Sequence, residues 1–235
     1  MTSNTPEPSP SAGYDLATMR RAYATTDEGL RESTAPAHWL PLFEAWLADA
    51  IAEGITEPNA MTVATAGADG RPSARTVLLK GVDAEGFTFY TNYMSRKGRQ
   101  IATNPYASLV FGWFAIRRQV LVTGSVERVP REVTEAYFAT RPRESQLGTW
   151  ASAQSEVVAD RASLDAAYVE AEARFSNVDA IPAPPHWGGL RVRPDTVEFW
   201  HGRIGRLHDR LRYRRPEAVG AAATDDMWVL ERLAP

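Results

Sequence analysis

The 235 residues carry 26 basic and 29 acidic side chains, a formal net charge of −3, and no cysteine. Without cysteine, disulfides, zinc–thiolate sites, iron–sulfur clusters and a thiol nucleophile are all excluded. The near balance of charge gives no field to attract nucleic acid or an anionic membrane, while 44% hydrophobic residues suffice for a substantial core.

Met1 to Gly13 is rich in Ser, Thr and Pro and has no basic start followed by an apolar run. It reads as a disordered tail, not a signal peptide. Ordered chain is expected from Tyr14, with Leu16, Met19 and Tyr23 on one side of a short helix. No apolar run approaches the length a membrane helix needs, and a cytoplasmic location follows by default. Trp39, Leu42, Phe43, Trp46, Leu47 and Ala50 recur at helical spacing and predict a stronger helix. Strands are predicted next at Ala60 to Ala66, Ser73 to Gly81 and Gly86 to Thr91, the first two separated by the turn residues Gly67 to Gly70. Ser95 is placed to cap a helix through Ile101 that ends at Asn104-Pro105. Strands Ala107 to Ala115 and Gln119 to Arg128 follow. Pro130 opens a helical stretch to about Thr140, and Pro142 redirects the chain. A long helix from Val157 to Phe175 carries Leu164, Ala167, Tyr168 and Ala171 on one face. Beyond the extended connector at Ile181 to Pro185, strands are predicted at Leu190 to Val192, Val197 to Trp200, Arg206 to Arg214 and Met227 to Leu233. Strands without regularly alternating helices predict an antiparallel barrel with peripheral helices, a mainly β (α+β) fold, as a single domain over residues 14–235.

Several chemistries lose their warrant. There is no Gly-x-Gly-x-x-Gly turn, no phosphate-binding Gly-rich loop ending in Lys-Ser/Thr, and no Gly-x-Ser-x-Gly elbow. His38, His186, His201 and His208 lack metal-ligand spacing beside carboxylates, so no metal is expected.

Three clusters remain. Arg75 and Lys80 lie on opposite faces of one predicted strand, and each must reach the rim or meet an anion, because an unpaired buried cation is costly. Ser95-Arg-Lys-Gly98 brings a hydroxyl and two cations to a helix N-terminus, which suits phosphate; a solvated basic turn fits the same residues. Tyr137, Arg141 and Ser145, spaced by four, make either a phosphate cradle or a helix-end Arg with ordinary polar neighbours. In the third cluster Arg206, His208, Arg210 and Arg212 alternate onto one strand face and need an anionic ligand or carboxylates to offset them; a solvated outer face is the alternative. Trp200 just upstream is able to stack on a flat ring or to serve the core.

The same residues carry a family resemblance. Arg75-Thr-Val-Leu-Leu-Lys80, Phe89-Tyr-Thr-Asn92, Ser95-Arg-Lys-Gly98, Arg118-Gln-Val120, Tyr137-Phe138 with Arg141-Pro142, Gln154-Ser155, Trp187-Gly-Gly189, Glu198-Phe-Trp200, Arg206-Leu-His-Asp-Arg210 and the Arg232-Leu-Ala-Pro235 ending resemble the signature set of pyridoxamine 5′-phosphate oxidases, from about Arg20 to the C-terminus. The resemblance implies a split β-barrel of the FMN-binding type, a homodimer, and flavin mononucleotide at the subunit interface. It assigns the flavin to Arg75, Thr76, Val77, Leu78, Leu79, Lys80, Tyr90, Thr91, Arg96, Lys97, Gln119, Gln154, Ser155, Trp200 and Arg210. It assigns the substrate phosphate to Lys80, Tyr137, Arg141 and Ser145, places Arg206 and His208 at the substrate ring as the catalytic candidates, and matches Arg20 and Tyr23 to a segment that closes over the substrate.

The implied reaction oxidises the C4′ carbon of pyridoxamine or pyridoxine 5′-phosphate to give pyridoxal 5′-phosphate, with oxygen reduced to hydrogen peroxide. Two departures stand out: His201 where the family usually has Gln, and Thr149 where Ala is common. A split-barrel flavin reductase of other specificity, or a carrier of flavin or pyridoxal phosphate without turnover, are the competing readings. The substrate-phosphate set argues against the reductase, because a flavin alone does not need it.

Overall fold

The computed structural model describes residues 29–216 and 227–235. The short helix expected from Tyr14, and with it Arg20 and Tyr23, lies outside the described residues. Among the described residues the strands are β1 (Ala60–Ala66), β2 (Pro72–Leu78), β3 (Gly81–Asp83), β4 (Gly86–Asn92), β5 (Tyr106–Trp113), β6 (Arg118–Arg128), β7 (Trp187–His201), β8 (Asp209–Arg214) and β9 (Val229–Arg232). The helices are α1 (Trp39–Ala52), α2 (Arg96–Thr103), α3 (Arg131–Ala139), α4 (Arg143–Ala151) and α5 (Arg161–Arg174).

All the strand pairs are antiparallel and join into one sheet, ordered β2-β1-β5-β6-β7-β4-β3, with β8 on β7 and β9 on β8. Strands β2 and β3 stand at opposite ends of this path, yet only Leu79 and Lys80 separate them in the chain. A flat sheet cannot satisfy both facts, so it curls into a half-barrel. The link is fastened on both sides: Leu79 N–H donates to Asn59 O at 2.8 Å and Lys80 N–H to Thr88 O at 2.8 Å. The expected strand Ser73 to Gly81 therefore breaks at Leu79, whose side chain turns into the core.

The inner face of the curl is filled by aromatic and β-branched side chains. Helix α1 inserts Trp39, Phe43, Trp46 and Ala50, the stripe that its sequence spacing predicts. Trp39 stacks on Phe87 at 4.8 Å, Phe43 meets Phe87 and Phe111 edge-on, and Trp46 meets Phe199. Each such ring stabilises the fold by roughly 1.5–3 kcal/mol through burial, and the ring pairs add about 1 kcal/mol apiece. A smaller cluster outside the barrel joins Phe138, Leu147, Ala171, Phe175, Ile181, Ala183 and Trp187, clamping α3, α4 and α5 to the start of β7.

Several elements differ from the sequence reading. Leu190 to Val192 and Val197 to Trp200 belong to one strand, β7, because Pro194 sits at a bulge: Thr123 pairs with Thr196 but Gly124 with Pro194, leaving Asp195 as the extra residue. Gly124 is required there, since a Cβ would collide with the Arg193 carbonyl. Helix α4 was not predicted; Pro142 stands at its N-cap. The helix expected over Val157 to Phe175 begins only at Arg161, where Asp160 accepts from Ser163 N–H at 2.8 Å, and of its predicted face only Ala171 is buried. Arg206 is not on a strand. Gly205 and Arg206 both take left-handed backbone, with φ of 66° and 64°, and β8 starts at Asp209.

Candidate active site

A cavity of about 580 Å³ opens where the curled sheet fails to close, between β2 and β4 on one side and α3 and α4 on the other. Its size is that of a cofactor or small-molecule site. Arg75, Thr76, Val77, Leu78 and Lys80 line it from the β2 side, Tyr90, Thr91, Asn92 and Lys97 from β4 and α2, and Tyr137, Arg141, Ser145, Gly148, Thr149, Ser152, Gln154 and Trp187 from the helical side. No carboxylate is among these lining residues.

The basic groups of the wall are partly withdrawn from water. Burial, and then the charge of Arg75, holds the Lys97 ammonium down at about 8. Its Nζ donates to uncharged oxygens, Thr91 Oγ1 at 2.8 Å, Gln154 Oε1 at 3.0 Å and Ser95 Oγ at 3.3 Å. Arg75 is likewise held below its ordinary value by burial and then by Arg96, and donates to Thr65 Oγ1, Ser73 Oγ and Val63 O. Burial also depresses Arg141, which lies over the Trp187 ring at 4.7 Å. Three desolvated cations facing one carboxylate-free space favour an anion there.

Local sequence explains how Lys97 is placed. Ser95 caps α2 by accepting from Gly98 N–H at 3.3 Å, so Lys97 falls in the first turn, where the helix dipole also favours an anion. Gly98 lets that turn pack against the Tyr93 carbonyl, which a Cβ would strike. An anion bound at Lys97 favours the ammonium form. Because the free ammonium titrates near 8, binding of inorganic phosphate to the apoprotein is expected to weaken as pH rises through 8. Calorimetric titration checks this, and the loss should disappear in Lys97→Arg, whose charge persists.

Tyr90 of β4, Tyr137 of α3 and Trp187 at the start of β7 form a ladder of near-parallel rings, with Tyr90 and Tyr137 centroids 3.9 Å apart. Burial raises the Tyr90 hydroxyl above its usual value.

The remaining sequence-derived residues are placed elsewhere. Leu79 is in the core, Arg96 is exposed and reaches the cavity only through its charge on Arg75, and Ser155 (φ 75°) follows Gln154 without lining the space. Gln119, Trp200, Arg206, His208 and Arg210 form a second group, none of which lines the cavity. In this group Gln119 pairs in register with Trp200, and Trp200 lies 4.6 Å from the His208 ring. Arg203 N–H donates to His208 Nδ1 at 3.1 Å, so the neutral imidazole carries its proton on Nε2 and presents a donor. The predicted basic face of β8 is offset by carboxylates: Glu198 takes a two-pronged bond from Arg210, which raises the Arg210 guanidinium, and Glu231 bonds both Arg212 and Arg214. Sequence reasoning missed Asn92, Gly148, Thr149, Ser152 and Trp187 as cavity residues. Three of them had a signal, since Asn92 and Trp187 lie in runs that carry the family resemblance and Thr149 is a departure from the family's usual residue.

Fold and site together define a class: a curled antiparallel half-barrel with helices outside and a cation-rich, carboxylate-free cleft at its seam. The family model described as pyridoxamine 5′-phosphate oxidase matches residues 47–175, and that of the pyridoxine 5′-phosphate oxidase C-terminal dimerisation region matches residues 187–235. The chain belongs to the pyridoxamine 5′-phosphate oxidase family. It is 54% identical over 219 residues to the pyridoxine/pyridoxamine 5′-phosphate oxidase of Salinispora arenicola, covering 93% of this chain and 96% of the relative. The enzyme of that name from Acidothermus cellulolyticus is 57% identical over 211 residues, covering 89% of this chain and 92% of the relative. Among solved structures, PhzG from Burkholderia lata 383, in complex with tetrahydrophenazine-1-carboxylic acid, is 30% identical with a TM-score of 0.79, covering 88% of this chain and 98% of that one. A pyridoxamine 5′-phosphate oxidase-related, FMN-binding protein from Nostoc punctiforme shares the fold, with a TM-score of 0.66 at 18% identity over 86% of this chain and 100% of that one.

Proposed function

We propose that the chain oxidises pyridoxamine 5′-phosphate or pyridoxine 5′-phosphate to pyridoxal 5′-phosphate, using FMN and oxygen, as a homodimer. The observation that carries this is the set of desolvated cations Arg75, Lys97 and Arg141 around one carboxylate-free cavity. Their chemistry fits two phosphorylated partners. Arg75 and Lys97, with Thr91 and Gln154, would hold the flavin phosphate and its polar edge. Lys80, Tyr137, Arg141 and Ser145 would take the substrate phosphate. When bound, the flavin supplies the two-electron acceptor for the C4′ carbon and the route to oxygen.

The chain's own residues position the substrate and control its charge. Arg141 and Lys80 neutralise the phosphate and so fix the ring relative to the cavity floor. The Arg206 guanidinium offers donors and no acceptor, so it acts on substrate charge and not as a base. His208, with Nδ1 engaged by Arg203 N–H, offers Nε2–H as a donor to the substrate ring or its C4′ substituent. Gln119, Trp200, Arg206, His208 and Arg210 would complete the cavity of the partner; what supports this is that none lines the cavity of its own chain, that the last four fall in the stretch matching the dimerisation region, and that Gln119 pairs in register with Trp200. The working unit is then the whole of residues 14–235, since both groups are needed for one site. Among the described residues no helix is long and apolar enough to cross a membrane. A cytoplasmic setting accompanies the reading, because a phosphorylated vitamer is held there by its charge.

The test is direct. The purified protein should be yellow, and aerobic addition of pyridoxine 5′-phosphate should give equal amounts of pyridoxal 5′-phosphate and peroxide. A colourless protein that FMN does not reconstitute would overturn the reading, and a yellow one without turnover would leave a carrier.

A further inference from the structure

We infer that Thr149 is a positioning residue that presets Arg141 for the phosphate of the substrate; the inference rests on the functional reading above. Thr149 Oγ1 accepts from Arg141 Nη1 at 2.6 Å and donates to Ser145 O at 2.8 Å. Its single proton is committed to the carbonyl, so the oxygen faces the guanidinium as an acceptor only. Among the described residues this is the one hydrogen bond the Arg141 side chain makes. The guanidinium carbon meanwhile lies 4.7 Å from the centre of the Trp187 ring and 5.5 Å from that of Phe138. The rings hold it from one side and Thr149 takes one N–H, which leaves four N–H donors for a ligand.

The same hydroxyl ties together two members of the cradle, Arg141 through its side chain and Ser145 through its carbonyl. Thr149 lines the cavity beside them, on the turn of α4 above Ser145. The γ-methyl restricts χ1, so the oxygen does not wander as a serine oxygen would. Alanine at this position offers no acceptor, and an Arg141 without one must be ordered by the ligand itself, at the expense of affinity. The consequence is specific to a phosphorylated ligand: ground-state binding changes and the chemical step does not.

Thr149→Val removes the acceptor and keeps the shape, whereas Thr149→Ser keeps the acceptor. In the FMN-loaded enzyme, Thr149→Val is expected to raise KM for pyridoxine 5′-phosphate about tenfold with kcat within about twofold of the parent. Equilibrium titration with pyridoxal 5′-phosphate, followed by its absorbance, should show the same loss, and Thr149→Ser should recover most of it. Equal behaviour of the Val and Ser variants, or a fall in kcat with KM unchanged, would overturn the inference. So would a lowered melting temperature with loss of FMN, which marks a merely structural role. Absence of turnover in the parent would count against the oxidase reading alone, since the titration compares the variants without it.

Discussion

Lys97→Met protein is expected to leave purification colourless, with FMN affinity lowered about 100-fold or more, while the ligand-free protein melts no lower than the parent. The two halves of this result have one cause. In the fold Lys97 is 7% exposed, its ammonium is held near 8 chiefly by burial, and the oxygens around it are uncharged. A cation in such a place does not stabilise the empty protein, so an apolar side chain of similar length costs the fold little. A phosphate reverses the balance, because a charge-assisted hydrogen bond in a desolvated site contributes about 2–5 kcal/mol. Absorbance at purification, FMN titration and a thermal melt of the apoprotein read the result. A variant that loses several degrees of melting temperature would make Lys97 a structural residue. One that keeps its flavin would move the flavin phosphate elsewhere.

How far the sequence foretells this site depends on the kind of information each residue carries. Periodicity located α1 and the buried Phe87 and Phe89 of β4, and a β-prone run before turn residues located β1, because a stripe, an alternation or a turn is set by the chain itself. It failed at Pro194, where a bulge lets a proline sit inside a strand, and at Arg206, where Gly205 begins a left-handed turn that the alternation of Arg206, His208 and Arg210 concealed. The curl was visible only as a class of fold, since the two-residue link at Leu79 and Lys80 matters only once β2 and β3 are known to be at opposite ends of the sheet. The basic residues of the cavity stood out in the sequence as charges without partners. That reading did not separate Arg75 and Lys97 from Arg210 and Arg212, because the carboxylates of Glu198 and Glu231 that pair the latter two come from neighbouring strands. Trp187 and Thr149 were hidden for a related reason: what makes them part of the site is the position of Arg141 over one and against the other.

Arg141→Ala and Arg206→Ala are each expected to lower turnover at least about 100-fold with FMN still bound, and a mixture of the two is expected to regain activity. Arg141 lines the cavity of its own chain, and Arg206 does not. If Arg206 serves the partner's cavity, a dimer with one chain of each variant has one site carrying both lesions and one carrying neither. Random reassortment makes half of the dimers mixed, each with one intact site of two, so the mixture should recover about a quarter of parental turnover. Refolding the two variants together, with separately refolded variants mixed afterwards as control, supplies the comparison. The left-handed backbone at Gly205 and Arg206 adds a reason to expect this division: an exposed Arg held at φ 64° is a strained arrangement for a residue that meets nothing beyond its own chain. Recovery no greater than that of the separately refolded control would mean that each chain completes its own site. Loss of FMN from Arg206→Ala alone would mean that Arg206 holds the flavin, and the two groups of residues would have to be divided differently.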